Sequence, residues 1–330
     1  MTINFPGAKI DECPSVVGRR SLVVIGTRGS KLALVQTDLV RAALLAAHPG
    51  LTVKIEQITT KGDVILDRPL SAIGDKGLFI AEFEDALRAG RIDLAVHSAK
   101  DLPSELPPDM ALAAFPRRAD PRDALVSRDG LPLAELPKGA RVGTSSLRRA
   151  CLLRHLRPDL RIADVRGNVD TRLRKLHEGQ YDAIVLAAAG LERLGLAGEI
   201  TERLDPQVML PAVSQGILGL EVRADDEAIA ALLAPLDDPM ARIAALAERA
   251  FLAQIGGGCQ VPVGAYASVD LSPAAGPGGT LSLAGMIGAH DGRLVRGELS
   301  GPAMQPADLG ARLAEALLGG GGQELLRTVG

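Results

Sequence analysis

Tryptophan is absent, and the other aromatic rings amount to five Phe and two Tyr in 330 residues. Leu, Ile, Val and Ala must therefore fill the cores, and so few rings argue against a protein that reads single-stranded nucleic acid by stacking bases. Cysteine is equally sparse. Cys13, Cys151 and Cys259 are odd in number and far apart, which is neither a disulfide framework nor a metal spacing, and their use fits a reducing compartment. The opening MTINFPGAKIDECPSVV lacks a basic region followed by an apolar one, the pattern of a secretory signal. Two uncharged 20-residue stretches, 250–269 and 271–290, are rich in Gly and carry Pro or polar residues, so neither reads as a membrane span. No G-x-x-x-x-G-K-[ST] occurs, and no G-x-G-x-x-G follows a strand, which counts against nucleotide-cradling chemistry. The net charge is small, 37 basic against 40 acidic residues or −3, and predicts no general attraction to nucleic acid or to an anionic membrane. A cytoplasmic, soluble protein without a metal is the expectation.

What is present is an ordinary globular balance, 47% hydrophobic and 23% charged, in a chain long enough for two or three domains. Charge is unevenly spread. Between Arg141 and Lys175 ten basic residues face three acidic ones (Asp159, Asp164, Asp170), a local +7 that points to an anionic ligand.

Beyond a loose leader over 1–19, short β-branched runs alternate with helical patterns. Strands are predicted at 22–27, 52–59 and 92–97, with helices at 31–47 and 77–89 between them. The first helix is expected to turn Leu32, Val35, Leu39, Ala43 and Ala47 inward, and the second Leu78, Phe83, Ala86 and Leu87. Strand–helix alternation implies βαβ units and a largely parallel sheet. Prolines 103, 107, 108, 116 and 121 mark a crossing or hinge, after which the pattern restarts with strands at 141–144, 160–165 and 181–186 and helices at 146–156 and 170–177. A third region, α+β in character, holds helices near 225–234, 239–254 and 306–318 and alternating runs at 263–269, 280–286 and 292–299.

Four constellations carry chemistry. Thr27-Arg28-Gly29-Ser30 lies between a strand and a helix, where free N–H groups and the helix dipole attract carboxylate or phosphate. Ser30 can equally be a simple N-cap and Arg28 a solvated charge. Val142-Gly143-Thr144-Ser145-Ser146-Leu147-Arg148-Arg149 repeats the geometry with three hydroxyls and two arginines, and Arg166-Gly167-Asn168-Val169-Asp170-Thr171-Arg172 repeats it again. Arginines placed at successive strand ends would converge on one crevice and suit a ligand with many carboxylates, because each guanidinium can pair in bidentate fashion. His97-Ser98-Ala99-Lys100-Asp101 sits at another strand end, where Asp101 could hold a developing positive charge or merely pair with Lys100 at the surface. Gly256-Gly257-Gly258-Cys259 offers backbone room around a thiol, which could be an attachment point or a small buried filler.

Together these segments resemble the porphobilinogen deaminase family. The resemblance rests on eight motifs in order: IGTRGSKLALVQT (25–37), KGLFIAEFEDAL (76–87), DLAVHSAKDLP (93–103), VGTSSLRRACLL (142–153), VRGNVDTRLRKL (165–176), LAAAGLERLGL (186–196), LPAVSQGILGLEVR (210–223) and ERAFLAQIGGGCQVPVGAYA (248–267). It implies two doubly wound α/β domains like those of two-lobed (type II) periplasmic binding proteins, with the cleft between them, plus a smaller α+β third domain. Domain 1 would span 20–116 and 217–234, domain 2 residues 117–216, and domain 3 residues 235–330. It also implies an activity. Members of the family join four porphobilinogen units head to tail with loss of ammonia, on a dipyrromethane cofactor held by a thioether to a cysteine, and then release hydroxymethylbilane by hydrolysis.

Carried over residue by residue, the resemblance makes Cys259 the attachment point and Asp101 the catalytic carboxylate that stabilises the cation left when ammonia departs. Lys100, Asp101, Thr144, Ser145, Ser146, Arg148, Arg149, Arg166 and Gly167 would hold the cofactor, and Arg28, Ser30, Arg172, Arg193 and Lys76 the substrate. Residues 62–76 would form a loop over the cleft, with Ala72 where some members carry a second lysine. The implied protein is a cytoplasmic monomer that passes its product to uroporphyrinogen-III synthase and binds neither nucleic acid nor membrane. A non-catalytic two-lobed binder of a carboxylated ligand would share the first two domains but has no need of the third domain and Cys259. A nucleic-acid binder using the basic segment is opposed by the acidic net charge, the rare aromatics and the missing motifs.

Overall fold

The computed structural model describes residues 21–60, 80–256 and 261–328. Among these the strands form three sheets. The first runs β2-β1-β3-β10-β4, where β1 is Leu22–Thr27, β2 Thr52–Gln57, β3 Leu94–Ser98, β4 Met110–Ala114 and β10 Leu218–Arg223. Strands β1, β2 and β3 are parallel, while β10 inserts antiparallel between β3 and β4. The second runs β7-β6-β8-β5-β9, where β5 is Asp123–Ser127, β6 Arg141–Gly143, β7 Arg161–Ala163, β8 Ala183–Ala187 and β9 Glu202–Arg203. It repeats the plan: β6, β7 and β8 are parallel, and β5 runs antiparallel beside β8. In each sheet the antiparallel inner strand lies next to one of the two segments crossing between them. The third sheet is an antiparallel meander of β11 (Val263–Asp270), β12 (Thr280–Gly288) and β13 (Leu294–Pro302).

Helix α1 (Lys31–Ala47) follows β1, and α2 (Ala81–Arg88) precedes β3. In the second unit α3 (Leu147–Leu156) follows β6, α4 (Val169–His177) follows β7 and α5 (Ala188–Arg193) follows β8. The starts of α1, α3, α4 and α5 therefore meet carboxyl strand ends. Helix α6 (Glu227–Leu233) follows β10, and α7 (Pro239–Ile255) and α8 (Pro306–Leu317) cover the third sheet.

The buried face of α1 differs from the expected one. Gln36, Thr37, Val40 and Leu44 are buried, and Leu39 is 51% exposed. The difference is a rotation of one residue, about 100° around the axis. It arises because the first half of the helix borders the cleft, where Gln36 donates from Nε2 to Ser98 Oγ at 3.0 Å, and a purely apolar stripe cannot register a buried amide. In α2 the expected Phe83, Ala86 and Leu87 are buried, and Leu78 lies outside the described residues.

The two crossing segments run side by side. Ala119 N–H donates to Gly216 O at 3.1 Å. Gly216 has φ +88°, and a Cβ there would stand 2.6 Å from Ala119 O, so only glycine fits this approach. Phe115, Val213 and Ile217 from these segments enter the same apolar core as Phe251 of α7, Leu283 of β12 and Leu313 of α8. Glu248 of α7, fully buried, binds both crossings. It accepts from Arg118 Nη1 at 2.6 Å, Ser214 N at 2.5 Å and Ala267 N at 2.8 Å. On its other side the third sheet closes against the second unit, with Met286 of β12 in one core with Cys151, Leu152 and Leu210.

Candidate functional site

The strand ends of the first unit form one wall of a cleft lined by Arg28, Ser30, Gln36, Ile80, His97, Ser98 and Asp101, among others. Ser30 caps α1, its Oγ accepting from Ala33 N–H at 3.3 Å. Asp101 is exposed at the end of a single 3₁₀ turn, Ala99–Asp101, that prolongs β3. Within this wall the largely buried His97 contacts Glu221 of β10, Nε2 to Oε2 at 2.8 Å. Lys100 turns its ammonium to Gln215 Oε1 at 3.5 Å. That ammonium is lowered to about 8, chiefly by burial and also by the guanidiniums of Arg149 and Arg148, against the pull of Asp101 and Asp123.

In the second unit the three hydroxyls at the start of α3 are all engaged. Ser146 is the N-cap, accepting from Arg149 N–H at 3.4 Å; Thr144 Oγ1 accepts from Ser146 N–H at 3.1 Å; Ser145 donates to Val165 O at 2.6 Å. Arg148 and Arg149 do not lie open in the cleft as the motif alone suggested; both are buried, gathered on Asp123 at the head of β5. Arg148 Nη1 meets Asp123 Oδ2 at 2.7 Å and Leu210 O at 2.5 Å. Arg149 reaches Asp123 Oδ1 from Nε at 3.0 Å and from Nη2 at 2.8 Å, and Val185 O from Nη1 at 3.0 Å. Burial alone would raise the Asp123 carboxyl, but the charges of Arg148 and Arg149 outweigh it and hold the group well below the usual carboxylate range.

Around these groups stand the remaining basic residues. Gly167, at φ +108°, lets the chain turn into α4 and accepts from Arg172 Nε at 2.7 Å; a Cβ there would lie 2.6 Å from Thr171 Cγ2. The Arg172 guanidinium is lowered chiefly by burial and next by Arg149, while Asp101 and Asp164 act the other way, so side chains of both units share one field. Arg166 lies 3.7 Å from Asp164, and Arg193 donates from Nη2 to Gly216 O at 2.8 Å, at the crossing. Burial lowers Arg193 to about 10. Lys31 of α1 and Asp170 of α4 approach to 3.7 Å across the cleft mouth. Cys259, Lys76 and residues 1–19 and 62–76 lie outside the described residues, so the expectations placed on them have no structural counterpart.

Three buried polar residues bear on the site without having been singled out from sequence: Asp123, Gln215 and Glu221. A signal existed for the first. An aspartate directly before the apolar run Ala124-Leu125-Val126 is an uncommon strand opening unless a cation meets it.

The donor set fits a ligand carrying many carboxylates. Cations outnumber carboxylates, Lys100 and Arg172 are held below their ordinary values by burial and by neighbouring cations, and Arg148 Nε is buried without a partner. Comparison with known proteins agrees. Residues 23–231 match the family described as "Porphobilinogen deaminase, dipyromethane cofactor binding domain", and residues 242–319 match "Porphobilinogen deaminase, C-terminal domain". The chain is similar to the porphobilinogen deaminase of Roseiflexus castenholzii, 69% identical over 307 residues, which is 93% of this chain and 99% of that protein. The one from Syntrophobacter fumaroxidans is 50% identical over 310 residues, covering 93% and 98%. Among solved structures the methionine binding protein MetQ covers 69% of this chain and 95% of its own, with 14% identity and a TM-score of 0.41.

Proposed function

The chain belongs to the porphobilinogen deaminase family, and from that premise we propose that it condenses porphobilinogen head to tail with loss of ammonia and releases hydroxymethylbilane, a step of tetrapyrrole biosynthesis. It is a transferase and takes dipyrromethane as cofactor. The observation that carries the reading is the family match over both parts of the chain, 23–231 and 242–319, together with a cleft whose cations suit a ligand bearing an acetate and a propionate on every ring. When bound, dipyrromethane supplies the free pyrrole α-position to which substrate is added; Cys259 is proposed to hold it.

The residues then have separate tasks. Arg28 and Ser30 bind incoming carboxylates at the start of α1, where the helix dipole adds to the charge. Asp101 accepts hydrogen bonds from pyrrole N–H groups and stabilises the positive charge that develops as ammonia leaves, an electrostatic contribution preorganised before the reaction. Lys100, Arg149, Arg166 and Arg172 neutralise ring carboxylates, with Arg148 behind them and Arg193 and Lys76 as further substrate contacts. Thr144, Ser145, Ser146 and Gly167 shape the loops that present these cations. The domain division is proposed at 20–116 with 217–234, 117–216 and 235–330, each part containing one of the three sheets.

The reading extends to a cytoplasmic monomer that hands its product to uroporphyrinogen-III synthase. Cys151, free and buried, suits a reducing compartment, and no helix of the described residues is long and apolar enough to cross a membrane. The test is an intact mass of the purified protein, followed by digestion. A mass excess of two substrate-derived pyrrole rings on the Cys259 peptide supports the function and the attachment site together. An unmodified mass that stays unmodified after incubation with porphobilinogen refutes both.

A further inference from the structure

Asp123 is fully buried and accepts five hydrogen bonds: two from Arg148, two from Arg149 and one from Gln215 Nε2, at 2.7–3.3 Å. Gln215 is fully buried as well; its Nε2 also donates to Pro121 O at 2.8 Å, which leaves its Oε1 facing Lys100 Nζ and Arg149 Nη2, both at 3.5 Å. A buried ion pair serving the fold alone would be neutral, because an uncompensated buried charge is costly. This cluster is not neutral. One carboxylate stands among two guanidiniums and one ammonium, so positive charge is left over beside the cleft.

We propose that Asp123 is the positioning residue of the carboxylate-binding array, fixing Arg149 directly and Lys100 through Gln215 so that ligand carboxylates meet a preformed constellation. The proposal rests on the reading that this array takes pyrrole carboxylates. Asp123 touches no substrate. It restrains two long side chains whose freedom would otherwise be lost on binding, and its single charge limits their mutual repulsion without cancelling their attraction for the ligand. Gln215 extends the restraint from the second unit to the first.

The experiment uses cofactor-free protein from cells that make no porphobilinogen. The gain of two-ring mass after adding porphobilinogen is timed, and thermal midpoints are recorded. Asp123→Asn keeps the side-chain shape and removes the charge; it is expected to gain rings about 10-fold more slowly than wild type, or slower still. Val126→Ala, a buried position of the same strand, serves as the control: it lowers the midpoint but gains rings at the wild-type rate well below that midpoint. Gln215→Met leaves the Asp123–arginine pairs in place and is expected to slow ring gain with a smaller change in midpoint. Asp123→Asn loading as fast as Val126→Ala overturns the positioning role. Should Asp123→Asn fail to fold, Gln215→Met decides, and a wild-type loading rate for it overturns the role. Wild type gaining no rings overturns the functional reading itself, and the positioning role falls with it.

Discussion

Asp101 is exposed at the end of its 3₁₀ turn and fills no core position, so Asp101→Ala is expected to leave the thermal midpoint almost unchanged. Turnover of porphobilinogen should fall by at least about 10²-fold, the scale of losing a preorganised electrostatic contact; retained turnover removes the assigned role. Lys100 yields a pH signature. Its ammonium sits at about 8 in the folded chain against 10.5 for a free lysine, so between those values the unfolded chain binds more protons and stability rises with pH. Wild type should gain stability through that window more steeply than Lys100→Met, as read by thermal midpoints in the cofactor-free protein. Equal slopes would place Lys100 in a more solvated setting. At this scale sequence and structure agree unevenly. Ser30 and Asp101 announce themselves as polar residues at strand ends. Asp123 signals only that some cation must meet it; its role depends on Arg148, 25 residues away, and Gln215, 92 residues away, being folded onto it.

Helix α1 shows what periodicity delivers at the scale of elements. Its bounds follow from the strand before it, the Ser30 cap and the His48-Pro49-Gly50 stop, and its buried face does not, because Gln36 and Thr37 are turned inward. The corrected face is testable by urea unfolding. Leu44→Ala, at a fully buried site, is expected to cost about 2–5 kcal/mol, whereas Leu39→Ala, on the exposed side, should stay within about 0.5 kcal/mol of wild type. Strands β4, β5 and β10 were the least legible. β4 and β5 are short apolar runs among prolines, such as Met110–Ala114 with its three alanines, and β10 alternates Leu218, Leu220 and Val222 with Gly219, Glu221 and Arg223 but does not say which strands it joins. What makes them strands is a partner, since β10 is held by β3 on one side and β4 on the other. No local pattern carries that information.

The whole molecule turns on how the third unit grips the two crossings. Glu248 is fully buried and tied to Arg118 and Ser214, and removing its charge takes the ion-pair partner from the half-buried Arg118 guanidinium. Glu248→Gln is expected to destabilise by about 3 kcal/mol and to speed amide exchange in 211–217 ahead of the sheet interiors; unaltered exchange there would deny the grip. The fold class was readable at this scale because strand–helix alternation, a proline-marked restart and a closing run of alternating strands are global rhythms that single errors do not disturb. The placement of β10 has a consequence for synthesis. Ser98 of β3 finds its register partner in Leu218, so the first sheet stays open along its middle until about 120 more residues have been made. At the ordinary pace of translation, about 5–20 residues per second, that is a wait of roughly 6–24 s. During it the nascent first lobe exposes an unpaired strand edge of the kind on which chains aggregate. The second lobe, whose strands all lie between Asp123 and Arg203, needs nothing from downstream to complete its sheet, so it can become the first finished body on the ribosome although it is encoded second.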